Sequence, residues 1–414
     1  MKPTVKAKAT LFIISKINMI AATIISSRSV STRFKAIRTF LLSGLVAVVM
    51  IASTPSRALA GLHVVPSPQI DGQLLATAAI ADNDIWAVGF SDQVSAPPVV
   101  DSTLAEHFNG KSWSIVSTPP TPSGGVNAPN AQFLGVDAAA SNDVWAVGFK
   151  TGPDNPDFGE QLIEHWNGTS WSIDTTGPEN EGGSLSGVTV VSSNNVWAVG
   201  GDLVEHWDGT SWSIVSSPAF NGVSGLDAVS ADASNDVWAV GVASSSLGAP
   251  FDGPAVLHFD GTSWSLINPN TPLDFRSVTA LSPTNVWAVG TVGVFFNHKT
   301  HRLAAIEHWD GTSWSIVSSP DPTKSPGLDS SLNGIVAISA NSIWAVGSVI
   351  TSNGQMATLT EHWDGTSWKI IGSPNPGNFS DGLFGATALS DGTVAAVGFQ
   401  QDQGFDKIPL ILQK

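Results

Sequence analysis

Apolar residues in this chain come in short bursts of β-branched and aromatic side chains, broken by Gly, Asn, Asp and Pro. Within each burst the large residues sit at alternate positions, which is the pattern of a strand, and no stretch beyond residue 60 holds a helical period. Two bursts recur. The first reads IWAVG at Ile85–Gly89 and VWAVG at Val144–Gly148, Val196–Gly200, Val237–Gly241 and Val286–Gly290, then IWAVG at Ile343–Gly347 and VAAVG at Val394–Gly398. The second runs EHFNGKSW (Glu106–Trp113), EHWNGTSW (Glu164–Trp171), EHWDGTSW (Glu205–Trp212), LHFDGTSW (Leu257–Trp264), and EHWDGTSW again at Glu307–Trp314 and Glu361–Trp368. All sixteen Trp residues fall inside these two phrases.

Each unit resolves into four strands. A run of small residues leads (LGVDAAAS at Leu134–Ser141, RSVTALS at Arg276–Ser282), then VWAVG, the LIEHW run, and SWSIV. Asn-Asp or Asn-Asn precedes the second strand, and Asp-Gly or Asn-Gly precedes the fourth, as tight hairpin turns require. Four antiparallel strands repeating at about fifty residues make a propeller blade. The ends set the count. After the sixth SW phrase the chain supplies GATALS (Gly385–Ser390), VAAVG and IPLILQK (Ile408–Lys414), one strand short of a blade. GLHVVPSP (Gly61–Pro68) aligns with SWSIVSSP, Leu62 taking the Trp position. The expectation is an all-β, seven-bladed β-propeller over 61–414, its last blade closed by the N-terminal mature strand. The small residues of the first strands are expected innermost, where blades converge.

Residues 1–60 have a different composition: nine Lys and Arg and no Asp or Glu. Phe40–Ala52 is an apolar core preceded by Arg33, Lys35 and Arg38, and Ala58-Leu59-Ala60 follows as a small-x-small cleavage site. That is the layout of an export signal, so the mature protein is expected to begin at Gly61 and to be secreted. An uncleaved anchor is the alternative, although thirteen apolar residues fall short of the roughly 20 that a span needs. Taking 1–60 away leaves nine basic residues against thirty-four acidic ones, a formal net charge of −25. A charge of that sign argues against nucleic acid and against anionic membrane surfaces, so any membrane contact is left to the N-terminal segment. The chain has no Cys, which rules out disulfides and thiolate chemistry.

Spacing locates the variable surface. From the aromatic of EHW to the Trp of SW the interval is five residues in all six copies, while from the VWAVG Trp to the SW Trp it ranges from fifteen to twenty-seven. Length variation is therefore confined to the connection between second and third strands and to the connection between blades. Both emerge on one face of an up-and-down disc, and loops on a rigid scaffold usually carry recognition.

Candidate chemistry divides between repeated and unrepeated residues. The framework Trp residues (Trp86, Trp145, Trp197, Trp238, Trp287, Trp344) and the His of each third strand (His107, His165, His206, His308, His362, with His258 beside Leu257) recur round the ring, whereas a catalytic group is needed once. Adjacent Glu and His on a strand also point to opposite faces, so the pair does not act as an acid–base couple. These residues are read as blade packing. The unrepeated residues on the variable face are Asp154, Asp157, Glu160, His298, His301 and Arg302. His298-x-x-His301 has the look of a transition-metal pair. The three acids offer the oxygen ligands of Ca²⁺, but no EF-hand spacing is present, and no other cofactor is expected.

The DGTSW turn resembles the Asp-box of sialidase-type propellers, one residue short of that motif. The chain has no Tyr to act as a nucleophile, and beyond residue 60 only Arg276 and Arg302 to hold a carboxylate. The WAVG…EHWDGTSW repeat as a whole resembles secreted bacterial propeller proteins related broadly to kelch, Asp-box and WD-type propellers. It lacks the Gly-His…Trp-Asp order of WD40 and the paired glycines of kelch. The resemblance implies a fold strongly and an activity weakly. The expected function is a non-catalytic, monomeric recognition propeller binding extracellular glycan, or cell-envelope and protein partners, through its variable face. The alternative is a polysaccharide-active enzyme with carboxylates at the mouth of the central channel.

Overall fold

The structure, a computed structural model, describes residues 61–93, 100–120, 130–152, 155–178, 183–218, 223–244, 253–269, 271–320, 322–323, 328–402 and 406–414. The export segment expected at 1–60 lies outside these residues. Among those described there is no helix, and the strands form seven four-stranded antiparallel sheets. Blade 3 shows the plan with the shortest connections: Gly187–Ser192, Asn195–Gly200, Leu203–Trp207 and Trp212–Ile214, each paired with the next. Within it Trp197 lies opposite His206, Ala198 opposite Glu205, and Trp207 opposite Trp212. The same register recurs in blade 1 (residues 72–115), blade 2 (131–173), blade 4 (223–266), blade 5 (273–316) and blade 6 (330–370), with Trp86 opposite His107 and Trp344 opposite His362. The seventh sheet is built from Ser380–Ala388, Val394–Gln401 and Lys407–Gln413, and the two-residue strand His63–Val64 runs antiparallel along its outer edge. His63 faces Gln413 and Val64 faces Leu412, and Val65 N–H donates to Ile411 O at 2.9 Å.

Packing between blades explains why the phrases are spelled as they are. The Trp of each VWAVG leans out of its own sheet onto the two aromatics of the next blade's EHW…SW phrase. Trp145 lies 5.0 Å from Trp207 and 5.3 Å from Trp212, the second edge-on. Trp86 meets Trp166 and Trp171, Trp197 meets Phe259 and Trp264, Trp238 meets Trp309 and Trp314, and Trp287 meets Trp363 and Trp368. Edge-to-face contacts of this kind add about 0.5–1.5 kcal/mol each beyond the burial of area. The two seams that flank blade 7 depart from the rule. Trp344 packs on Leu62, with Lys414 Nζ 5.1 Å above its ring, and Ala395 takes the Trp position against Phe108 and Trp113.

Blade 7 nevertheless bonds directly to blade 1. Thr387 Oγ1 accepts the Ala79 N–H at 3.0 Å, Ser390 Oγ donates to Asp82 Oδ2 at 2.8 Å, and Lys407 Nζ donates to Gln73 Oε1 at 3.3 Å. The small residues of the first strands form the innermost ring. A Cβ on Gly187 would stand 3.0 Å from Ala228 Cα, and one on Gly385 3.0 Å from Ala76 Cα, so bulk is excluded where blades meet at the axis. The two constant turns lie side by side on one face: a Cβ on Gly209 of the Asp-Gly turn (φ 96°) would come within 2.7 Å of Asn194 Cβ in the Asn-Asn turn. The variable connections meet on the other face, where Gly183 N–H donates to Gly159 O at 2.8 Å.

Leu62 is the one large apolar side chain that His63–Val64 brings onto Trp344. Leu62→Ala is therefore expected to cost about 2–4 kcal/mol in urea unfolding of the full chain, as for a buried Leu. A loss under about 0.5 kcal/mol would mean that the outer strand contributes nothing to holding blade 7.

Candidate functional site

The repeated polar residues are built into the blades. Asp84, Asp143, Asn195, Asp236, Asn285 and Ser342 open the second strands, and each reaches across its sheet to the His of the third strand. His107 Nε2 lies 2.7 Å from Asp84 Oδ1, His165 Nε2 2.8 Å from Asp143, His206 Nε2 2.9 Å from Asn195 and His258 Nε2 2.6 Å from Asp236. His308 Nε2 lies 2.8 Å from Asn285 and His362 Nε2 3.0 Å from Ser342. In blades 2, 4 and 5 the same oxygen also accepts the Trp indole N–H, from Trp145, Trp238 and Trp287. The imidazole lies over that indole, with centroids 4.2 Å apart for Trp145 and His165. Burial lowers the pKa of His206 and His308 and takes that of His362 to about 4.

The Glu beside each His is fully buried and faces the preceding blade. Glu106, Glu164, Glu205, Glu307 and Glu361 show no exposed surface. Burial pushes Glu106 and Glu164 up to about 8, and neither has a hydrogen-bond partner for its carboxyl oxygens. Burial takes Glu205, Glu307 and Glu361 to about 7, partly offset by Gln161, Thr271 and Ser319. Thr271 and Ser319 stand near enough to matter without closing a hydrogen bond to those carboxyls. Leu257 and Leu412 occupy the equivalent place in blades 4 and 7, so the position accepts an apolar side chain.

Individuality lies in the channel. Six first strands carry a β-bulge at the same point, between Leu74 and Ala76, Phe133 and Gly135, Leu226 and Ala228, Phe275 and Ser277, Leu332 and Gly334, and Leu383 and Gly385. A bulge leaves one residue unpaired and re-aims its side chain. Those residues are Leu75, Leu134, Asp227, Arg276, Asn333 and Phe384, and in blade 3 Ser186 stands at the corresponding place just before the strand. All seven line a cavity of about 210 Å³ on the axis. They sit toward the N-terminal end of each first strand, on the side of the variable connections. Round the ring the order is Leu, Leu, Ser, Asp, Arg, Asn, Phe, so blades 3–6 present a polar arc and blades 7, 1 and 2 an apolar one.

Charge gathers on the polar arc. Burial raises Asp227 to about 6, held back by the Arg276 guanidinium on the adjacent blade. Buried Asp274, two residues before Arg276, is raised by burial and held back by Arg302 and Arg276. The two Arg residues of 61–414 thus both act electrostatically on one buried carboxylate. Among the described residues that line the cavity, Asp227 is the carboxylate, and Asp274 acts on it electrostatically.

Of the unrepeated residues singled out in the sequence, His301 and Arg302 share a partner, the His301 ring and the Arg302 N–H both meeting Asp329 Oδ1. Asp154 lies outside the described residues, and the side chain of Asp157 is not among those described. Glu160 pairs with Lys150 at 3.7 Å. His298 sits in the turn of the long blade 5 hairpin, at φ 63°, while His301 Nδ1 lies 3.0 Å from Asp329 Oδ1 of the following connection. Among the described residues no three His, Asp or Glu side chains converge so as to hold a metal ion. The channel ring escaped the reading of the sequence. Its signal was a position in the small-residue run that holds large or charged residues, from Leu75 and Leu134 to Asp227, Arg276 and Phe384.

No family model matches the chain, and neither does any curated protein. Among solved structures the chain is similar to one described as YCF48 bound to D1 peptide. The TM-score is 0.51 at 14% identity, over 87% of this chain and 97% of that one. It is also similar to a protein of unknown function from Dyadobacter fermentans, with TM-score 0.48 at 11% identity, over 86% and 99% of the two chains. The first likeness shows the fold: this chain is a seven-bladed β-propeller, an architecture compatible with a binding or scaffold role.

The buried carboxyls give stability a pH dependence. A Glu whose folded pKa lies above its unfolded value keeps its proton in the native state while the unfolded chain has lost it. Below about pH 4.5 both states hold the proton and ionisation costs nothing, and stability is then lost as pH rises through 7 to 8. Glu164→Leu, which copies blade 4, removes at pH 4.5 only a neutral buried carboxyl without a partner, a gain of no more than about 1–3 kcal/mol. At pH 9 the gain is expected to be larger by at least about 2 kcal/mol, since each unit by which the pKa is raised is worth ~1.4 kcal/mol. An equal effect at both pH values would show that ionisation of Glu164 is not the cause.

Proposed function

We propose that the protein is an exported, non-catalytic recognition propeller. In this reading it holds an extracellular or cell-envelope partner on the face of its variable connections and discriminates among partners with the ring of bulge residues. The observation that carries the reading is the contrast between a scaffold spelled almost identically in every blade and seven channel residues that all escape the repeat. A cavity of about 210 Å³ is smaller than the usual pocket for a drug-sized ligand, so it suits one inserted side chain of a larger partner. Its apolar arc would receive the body of that side chain, and Asp227, Arg276 and Asn333 would receive its polar end. That a propeller of similar fold is described with a bound peptide supports a polypeptide partner. The acid-free, Lys- and Arg-bearing N-terminus with its apolar core supports export.

Protein collected from the culture medium is the material for the test, and intact mass is expected to place its N-terminus at Gly61. Peptides displayed at random and enriched on this protein are expected to lose affinity about tenfold or more, ~1.4 kcal/mol, when Arg276→Ala or Phe384→Ala is introduced. Asp208→Ala, on the opposite face, should leave affinity unchanged. Failure to enrich any peptide, or enriched peptides indifferent to both channel substitutions, would refute the reading. Protein retained in the cytosol at full length would refute export.

A further inference from the structure

A second concavity of about 410 Å³ lies between blades 6 and 7 on the variable face, away from the channel. Its walls come from the hairpin connection of blade 6, Thr351–Met356, from the connection between the two blades around Asn375–Phe379, and from Asp381 at the start of the next strand. None of these residues belongs to the repeat phrases.

The walls are held in place by their own hydrogen bonds. Thr351 Oγ1 bonds to Asn353, and Asn353 Nδ2 donates to Gln355 Oε1 at 2.6 Å. Gln355 Nε2 donates across the pocket to Asn378 O at 3.2 Å, and Asn375 Oδ1 accepts the Thr358 N–H at 2.6 Å. Gly377 closes over Asp381 so tightly that a Cβ there would stand 2.5 Å from Asp381 Oδ1, which accepts the Gly377 N–H at 3.1 Å. Each of the three amide nitrogens spends one hydrogen on this frame. That leaves a second N–H on Asn353, Gln355 and Asn375 and a spare lone pair on the side-chain oxygens of Gln355 and Asn375, while Asp381 is buried beneath them and bonded to the backbone of Gly377 and Gln401. Beside these stands an apolar surface: Met356, Ala357 and Phe379, whose ring is 44% exposed.

The set selects a ligand class. Amide donors and acceptors at fixed positions, beside an aromatic face, match a molecule that offers both hydroxyls and an apolar C–H face. Anionic ligands are disfavoured, because the residues of the pocket carry no cation and Asp381 is flanked by Asp402 in a domain of formal charge −25. Cations find no anchor either: Asp402 Oδ1 already accepts two N–H bonds from Asn378, and no three acidic or His side chains converge among the described residues. We infer that the concavity between blades 6 and 7 is a binding site for a neutral saccharide, whose ring packs on Phe379 while its hydroxyls bond to Asn353, Gln355 and Asn375. The inference stands independently of the channel reading.

Ligand-observed NMR and calorimetric titration of the full chain with cellobiose, maltose, N,N′-diacetylchitobiose and digalacturonate provide the test. At least one neutral disaccharide is expected to bind, and digalacturonate is not. Phe379→Ala and Asn375→Ala are each expected to weaken that binding about tenfold or more. Phe384→Ala in the channel should leave it unchanged, so that failure here and failure of the channel reading can be told apart. Asn375 also supports the Thr358 N–H, so the melting temperature of each variant is measured, and Phe379→Ala, which touches no backbone bond, decides if Asn375→Ala unfolds. The inference is overturned if no neutral disaccharide binds, if digalacturonate binds as well as the neutral sugars, or if binding survives Phe379→Ala unchanged.

Discussion

What the rest of this molecule depends on is the seam between neighbouring blades, where one indole enters between two aromatics of the next sheet. A propeller has no central core. Each sheet is covered on both faces by other sheets, and the ring persists because every seam is filled. The chain has no disulfide to share that task. Five seams carry the full set of three aromatics, and the two around blade 7 replace members with Leu62, Lys414 and Ala395. Polar bonds from Thr387, Ser390 and Lys407 to blade 1 add to the blade 7 seams, as does an outer strand that returns from the N-terminus, and the Thr387 bond has counterparts in the aromatic seams, from Val190 N–H to Asp137 and from Ala280 N–H to Ser230.

The same geometry divides the labour among polar residues. On the face with the framework Trp, His and the Asp or Asn at the head of the second strand bond to one another and hold the indole in position. On the opposite face Glu meets an apolar wall with little or nothing to bond to. Seams so constructed favour the protonated carboxyl, and this ties the stability of an acidic protein to mildly acidic conditions. Function is placed where the repeat is silent: at the bulges, whose residues leave the sheet and enter the channel, and in connections that only the closed ring brings together.

Much of this was legible in the order of residues. Recurrence of VWAVG and EHWDGTSW set the strands and the blade number, and the constant five-residue interval between aromatics marked the turn that Gly209 makes at φ 96°. The alignment of Leu62 with the SW Trp named the residue that packs on Trp344. Burial of the Glu residues was not legible. Alternation showed Glu and His on opposite faces, but in a propeller both faces of a sheet are interior, so the residue opposite a packed His is not thereby exposed. The bulge ring was hidden because a bulge is a property of pairing register, which a single strand does not display. Arg276 and Arg302, twenty-six positions apart, act together on the pKa of Asp274 only through the folding of blade 5.

Native-state hydrogen exchange of Trp238→Ala tests the seam most directly, since Trp238 belongs to blade 4 but packs on Trp309 and Trp314 of blade 5. If indoles hold blades together, amides of the neighbouring strand at Val286–Val289 should exchange at least about a hundredfold faster, as expected for ~3 kcal/mol of lost packing. Amides at Val144–Val147 in blade 2 should change by less than about tenfold, or ~1.4 kcal/mol. An unchanged rate at Val286–Val289, or an equal rise in blade 2, would contradict the claim that stability resides in individual seams.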